Sequence, residues 1–322
     1  MSVETSLGEE ARRELASLEQ GLAGADPPVA AALHFRSAQL WLGVGTAGLD
    51  PAAGHLRSAL DLDPSDEDAF RLLANALRRA GKRAELARAC EEACREAPAA
   101  KRAQRLTLAA SLYDELGRAD EAALCRTRVL AIPGEAHQAA RLEAGQTLAK
   151  AHRKKGAWRE LAAVLDRLSA DLDGDARMAA LAEQAEVLGD RVGAHGEAWE
   201  AWLKVLSRSA GHERALAFAR RHLDETHQPL ELAKVLAAAA AATKNHESAT
   251  RLWREAAQVA EERARDLELA RRSWRRAWQL SPLHAEARAA LKRLLALAGD
   301  WRGYRDLLER EARQVATVEE KI

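Results

Sequence analysis

Apolar residues recur along the chain at three- and four-residue spacing, broken at short intervals by glycine or proline. "AFRLLANALRRAGKRAELARACEEACREAPAA", residues 69–100, shows the unit. Phe70, Leu73, Ala76, Leu77 and Ala80 fall on one helical face. Gly81 supplies the left-handed conformation that commonly ends a helix. Leu86, Ala89, Cys90, Ala93 and Cys94 make a second apolar face, and Pro98, lacking the N–H of a continuing helix, is expected to close it. No sustained alternation of β-branched and aromatic residues marks a strand, so the whole chain reads as helix.

The unit recurs, as it must if each hairpin buries its apolar face against copies of itself. "LRSALDLDPSDEDA" (56–69) runs from one unit into the next, and "LGRADEAALCRTRVLAIP" (116–133) carries a Gly117 turn and a terminal Pro133. "KKGAWRELAAVLDRL" (154–168) and "AGDWRGYRDLLEREA" (298–312) share a Gly, a Trp two residues on, and an apolar helix. Leu86, Leu161, Leu232 and Tyr304 occupy equivalent places in the second helices of alternate hairpins, at gaps of 75, 71 and 72 residues. Leu206 and Trp278, like His212 and His284, lie 72 apart, so a pair of hairpins is the duplicated unit. Turn marks predict sixteen or seventeen helices: one near residues 7–22, opened by a Ser6-x-x-Glu9 capping box, then about eight hairpins from Pro27 and Pro28 onward.

Phe70-x-x-Leu73-Ala74-x-x-Leu77, then Gly81, Leu86-x-x-x-Cys90, Ala93 and Pro98 resembles the tetratricopeptide repeat in its order of large, small and proline marks. Leu77, Leu86 and Cys90 stand where that family places an aromatic, a small residue and an aromatic. The resemblance is strongest over 65–136 and 282–312. It implies an all-α, right-handed α-solenoid whose first helices line a groove that holds a protein or peptide. Members that clamp a peptide C-terminus use Lys/Arg and Asn over three repeats. Arg71 and Asn75 match the first part, but Thr107, Leu108, Ser111, Glu143 and Gln146 do not continue it.

Candidate chemistry is sparse. Cys90, Cys94 and Cys125 lack a matching Cys/His pair for zinc and read as buried small hydrophobes. The histidines form no H-E-x-x-H set, and the recurring His212 and His284 read as turn or capping residues. "GVGTAG" (43–48) lacks the Gly-Lys-Ser/Thr ending of a phosphate loop. The eight tryptophans, with Trp199/Trp202 and Trp274/Trp278 paired along helices, read as inter-hairpin core. "KAHRKKGAWR" (150–159) and "RRSWRR" (271–276) are basic clusters, read first as solvated helix faces and then as contacts for an acidic protein.

Composition narrows the partner. With 49 Lys plus Arg against 49 Asp plus Glu in 322 residues, net charge draws the chain to neither nucleic acid nor an anionic membrane. "VLAAAAAA" (235–242) is too short to span a bilayer, no secretory leader is evident, and three cysteines are no disulfide framework, so a cytoplasmic location is expected. The excess of Ala, Arg and Leu over Lys, Ile and Asn suggests a GC-rich bacterial genome.

The expectation is therefore an N-terminal capping helix (1–24) and one continuous superhelix (25–322) serving as a non-catalytic scaffold without cofactor or metal. Arg71, Asn75, Arg78, Gln146, Lys150, Arg153, Lys154 and Arg221 are the candidate groove residues. The alternative is an RNA-processing scaffold, because "ELARRSWRRAWQLSP" (268–282) resembles a half-a-TPR second helix. "QVATVEEKI" (314–322) shows no polar cap, which leaves a longer array or self-association through the C-terminal face as expectations.

Overall fold

The computed structural model describes residues 8–95, 97–282 and 284–319. Among these, seventeen α-helices and no strand occur. They are α1 (Glu9–Leu22), α2 (Pro27–Leu42), α3 (Leu49–Leu62), α4 (Glu67–Arg79), α5 (Arg83–Glu92), α6 (Ala99–Glu115), α7 (Ala119–Leu130), α8 (Gln138–Lys155) and α9 (Trp158–Asp171). After these come α10 (Gly174–Glu186), α11 (His195–Leu206), α12 (Glu213–Glu225), α13 (Pro229–Ala242), α14 (His246–Gln258), α15 (Leu267–Leu280), α16 (Ala285–Leu297) and α17 (Trp301–Glu319). After α1, the helices form eight consecutive pairs in chain order, as the turn marks predict.

The chain divides into two compact units. One takes in the described residues up to 156 together with 170–172, the other 157–169 and the described residues from 173 onward. In the first, Leu56, Leu73, Leu77, Leu86 and Leu106 share a core with Trp41, Tyr113 and the three cysteines. Burial pushes the Cys90 and Cys125 thiols up to about 12, so both are neutral packing groups. In the second, a core of Leu269, Trp274, Trp278, Leu291, Leu294, Leu295 and Leu307 runs through α15, α16 and α17.

Every pair turns through one residue of positive φ: Gly45, Gly81, Gly117, Gly156, Gly193, His227, Arg265 and Gly299. The same closing bond recurs there. Lys82 N–H donates to Leu77 O, Arg118 to Tyr113, Gln228 to Leu223 and Asp300 to Leu295, at 2.8–3.0 Å. This is the long-range bond of a Schellman helix end, and it needs a left-handed residue before the donor. Glycine takes that conformation freely; His227 and Arg265, at φ 54° and 55°, do so at a cost.

The second unit repeats with a constant period. α10 starts at Gly174 and α14 at His246, α11 at His195 and α15 at Leu267, α12 at Glu213 and α16 at Ala285, α13 at Pro229 and α17 at Trp301, each 72 residues on. π-helical turns end α10 (Val187–Val192) and α14 (Val259–Arg263) at the same interval. Leu86, Leu161, Leu232 and Tyr304 are each the fourth residue of their helices. His212 N-caps α12, accepting from Ala215 N–H at 3.3 Å, whereas His284, at the same place before α16, makes no cap bond with its side chain.

One local expectation differs. α5 ends at Glu92 rather than running to Pro98: Cys94 and Arg95 turn away through three-residue bonds to Glu91 O and Glu92 O, and Pro98 is instead the N-cap of α6. Cys94 stays buried beyond the helix end. "GVGTAG" forms a 3₁₀ turn (Gly45–Gly48). The Ser6 end of the expected capping box lies outside the described residues; Gly8 precedes the first turn of α1.

Candidate partner-binding surface

The candidate residues fall into three groups, all exposed. Arg71, Asn75 and Arg78 share one face of α4 by their four- and three-residue steps, opposite the buried Leu73 and Leu77. Arg71 pairs along its own helix with Asp68 at 2.9 Å. Gln146, Lys150, Arg153 and Lys154 form a second strip, on α8, opposite buried Leu148 and Ala149. Among the described residues, Lys150 and Lys154 form no ion pair. Arg221 lies on α12, in the second unit.

Within the first unit, first helices are held together by a buried charge that sequence reasoning missed. Arg105 on α6 is buried, donates to Glu67 on α4 at 2.8 Å, and lies 4.0 Å over the Phe70 ring. Lys101 adds a bond to the same carboxylate at 3.0 Å. A buried guanidinium needs such a set of partners, so Arg105 orders α4 against α6. α6 in turn contacts α8. Its position one turn after Lys101 was the available signal, but charge on a helix gives no direction without the neighbouring helix.

Most cations outside these strips are spent on carboxylates. In the 150–159 cluster, Lys155 pairs with Asp120 at 2.8 Å and holds its carboxyl below the usual range. Arg159 pairs with Glu197 at 2.8 Å. Arg141 binds Asp171 and also donates to Ile132 O at 2.8 Å. Arg57 pairs with Glu85 and, by hydrogen bonding, lowers its carboxyl pKa.

Arg221 lines a cleft of about 340 Å³ with Glu186, Asp190, Trp202, Arg214 and Phe218. Glu186 is engaged by Arg214 at 2.5 Å, and Arg221 sits 5.4 Å over the Phe218 ring. Of the paired tryptophans, Trp202, Trp274 and Trp278 are buried as expected for core residues, and Trp199 is half-buried against His222. Burial lowers the pKa of His222.

These features define an all-α array of tetratricopeptide-like helical hairpins carrying exposed polar strips on first helices. No family model matches the chain, and no curated protein matches it. Among solved structures, it is similar to the Naa15/Naa10 complex bound to HypK-THB, at 15% identity and a TM-score of 0.33, over 94% of this chain and 55% of that one. It is also similar to the C-terminal part of a TPR repeat-containing protein from Cytophaga hutchinsonii, at 13% identity and a TM-score of 0.28, over 80% of this chain and 99% of that one. A tetratricopeptide repeat protein from Parabacteroides merdae matches at 16% identity and a TM-score of 0.28, over 83% and 99%. The chain thus spans about half the length of the first of these. Scores this low carry no weight for the architecture, which rests on the chain's own helices, turns and period. No helix among the described residues is long and apolar enough to cross a membrane.

Proposed function

We propose that this protein is a non-catalytic scaffold that holds a protein or peptide partner against the first helices of its hairpins. The observation that carries the reading is the α8 strip: among the described residues Lys150 and Lys154 form no ion pair and stand exposed beside Gln146, while their neighbours Lys155 and Arg159 are spent on Asp120 and Glu197. Unpaired cations on a rigid helix remain available to a partner's carboxylates or backbone carbonyls. Arg71, Asn75 and Arg78 extend the same polar contact on α4, with Arg153 on α8 as a further contact; Arg221, on α12 of the second unit, is a candidate contact by itself. Recognition of this kind is passive, with each side chain placed by the packing beneath it.

The test is capture from a native lysate with mass spectrometry, with and without nuclease, comparing the wild type with the charge reversal Lys150→Glu/Arg153→Glu/Lys154→Glu. A discrete nuclease-resistant partner lost in the variant, with helical circular dichroism retained, supports the reading. Recovery of RNA, or of proteins released by nuclease, replaces it with the RNA-scaffold alternative. Capture unchanged by the reversal removes α8 from the site.

A further inference from the structure

A second surface, on α15, gathers cations that form no ion pair among the described residues. Arg272, Arg275 and Arg276 are exposed, and among the described residues none forms an ion pair. Arg276 donates only to Gln279 Oε1, at 3.2 Å. Their neighbour Arg271, by contrast, is held by Glu268 at 2.8 Å and Asp300 at 3.3 Å. Acidic side chains are thus present nearby and already engaged, with Asp266 spent on capping α15 through Leu269 N–H.

The cause lies in the helix beside it. Residues 237–242 of α13 are all alanine, and Ala240 and Ala241 line a cleft of about 440 Å³ together with Arg272 and Arg276. Lys244, His246 and Trp253 also line that cleft, and among the described residues no carboxylate lines it. On the other flank, Arg275 lines a second cleft of about 440 Å³, formed by α15, α16 and α17. Arg302 and Arg310 stand at this cleft, both exposed and without ion pairs among the described residues. Its floor is apolar: Leu291, Leu295, Leu307 and Trp278, a buried indole whose N–H finds no acceptor. Gln279 lines both clefts, so they meet over the α15 ridge.

We propose that the α15 ridge docks an acidic peptide segment that also carries an apolar side chain. Carboxylates of the segment meet Arg272, Arg275, Arg276 and Lys244, and its apolar residue enters the α15–α17 cleft. Charge complementarity selects the acid, since an unpaired guanidinium cluster repels a basic partner and forks onto carboxylates. The leucine floor selects the apolar anchor. Nucleic acid fits less well: neither cleft offers an exposed aromatic face for base stacking, Trp253 being half-buried and Trp278 buried. This inference rests on the reading of the chain as a protein-binding scaffold, and places a contact on a second helix, apart from the α8 strip.

The test is fluorescence anisotropy with a dye-labelled peptide of alternating Glu and Leu pairs, its Gln/Leu and Glu/Ser counterparts, and a labelled oligouridine. The Glu/Leu peptide is expected to bind in a salt-sensitive manner and to lose roughly tenfold or more in affinity with Arg272→Glu/Arg275→Glu/Arg276→Glu. Both counterparts are expected to bind more weakly. Arg272→Gln/Arg275→Gln/Arg276→Gln, which adds no repulsion, keeps the test valid if the reversal unfolds. Absent Glu/Leu binding, binding by both variants equal to that of the wild type, or tighter binding of oligouridine overturns the proposal. Lysate capture that still depends on Lys150 and Lys154 after such a failure leaves the scaffold reading standing; failure of both removes both.

Discussion

The second unit contains the same four-helix motif twice, α9–α12 and α13–α16, and the differences between the copies are more informative than the likeness. In the first copy, Lys204 of α11 pairs with Asp166 of α9 at 2.7 Å, and Glu197 of α11 pairs with Arg159 of α9. In the second, the matching α15 positions are Arg276 and Leu269, and the matching α13 positions are Ala237 and Leu230. Both ion pairs are gone. α11 carries Glu197, Glu200 and Lys204, whereas α15 carries Glu268 against four arginines, so one backbone frame presents a neutralised face in one copy and a cationic face in the other. Duplication preserved the packing and left surface charge free to diverge.

A second exchange lies inside. Gly189 packs against Phe218, with an added Cβ falling 3.1 Å from the ring, and Trp202 N–H has no partner. At the equivalent places stand Glu261 and Ala290, and Glu261 accepts from Trp274 Nε1 at 3.0 Å and pairs with Arg293. A small residue facing a large one has become a large residue facing a small one. The same exchange explains Arg221: it is the counterpart of Arg293, but with Gly189 in place of the glutamate it has no carboxylate there and lies over Phe218.

The largest effect that tests this equivalence is in the core. Leu161→Ala and Leu232→Ala, at matching buried positions, should each cost about 2–5 kcal/mol in chemical denaturation, and by similar amounts. Leu73→Ala in the first unit should fall in the same range, about 2–5 kcal/mol. A near-zero loss at any of them would contradict the register.

Next is the interior exchange. Gly189→Glu should destabilise through its clash with Phe218, and Phe218→Ala through the cavity it leaves. The double variant should be more stable than the two losses predict, with a coupling of about 1 kcal/mol or more. Simple additivity would mean that the two residues do not compensate.

Smaller still is the turn strain. His227→Gly and Arg265→Gly should each stabilise by about 1 kcal/mol, and Gly299→Ala should cost a similar amount, about 1 kcal/mol, in thermal or urea melts. A loss on His227→Gly would show that its side chain contributes more than its backbone costs.

The smallest effect concerns the missing pair. Lys204, through its hydrogen bond, holds the Asp166 carboxyl below the ordinary 3.8, against opposing burial. The stabilisation is therefore present above that ordinary value and lost as pH falls through the lower folded one. Both side chains are about half exposed, so a double-mutant cycle should return under about 1 kcal/mol near neutral pH. Ala237→Asp, which puts an acid at the counterpart of Asp166, should cost some stability because Ala237 is half-buried against the core, and should weaken binding of the Glu/Leu peptide. Unaltered peptide affinity in a folded variant would argue against Arg276 as a contact.

Most helices and turns, and the period, are legible in the order of residues, because they follow from local rules; the turns at His227 and Arg265, which have no glycine, are not. Apolar spacing sets a helical face, glycine supplies the left-handed turn, and recurrence every 72 residues marks the duplication. Even the capping place of His212 is legible that way, since capping depends on neighbours three residues off. The site is only half legible. The strip residues of α4 and α8 are recognisable as exposed from their spacing opposite leucines, but which cations remain free depends on residues far along the chain. Lys155 is neutralised by Asp120, Arg159 by Glu197 and Arg105 by Glu67, all at 35 residues or more in sequence. The basic run 271–276 is uniform as a string. Packing divides it, giving Arg271 two carboxylates, turning Arg272 and Arg276 toward an alanine helix and Arg275 toward the α15–α17 cleft. A one-dimensional pattern specifies which face a residue occupies, and only the neighbouring helix decides whether the charge on that face is spent.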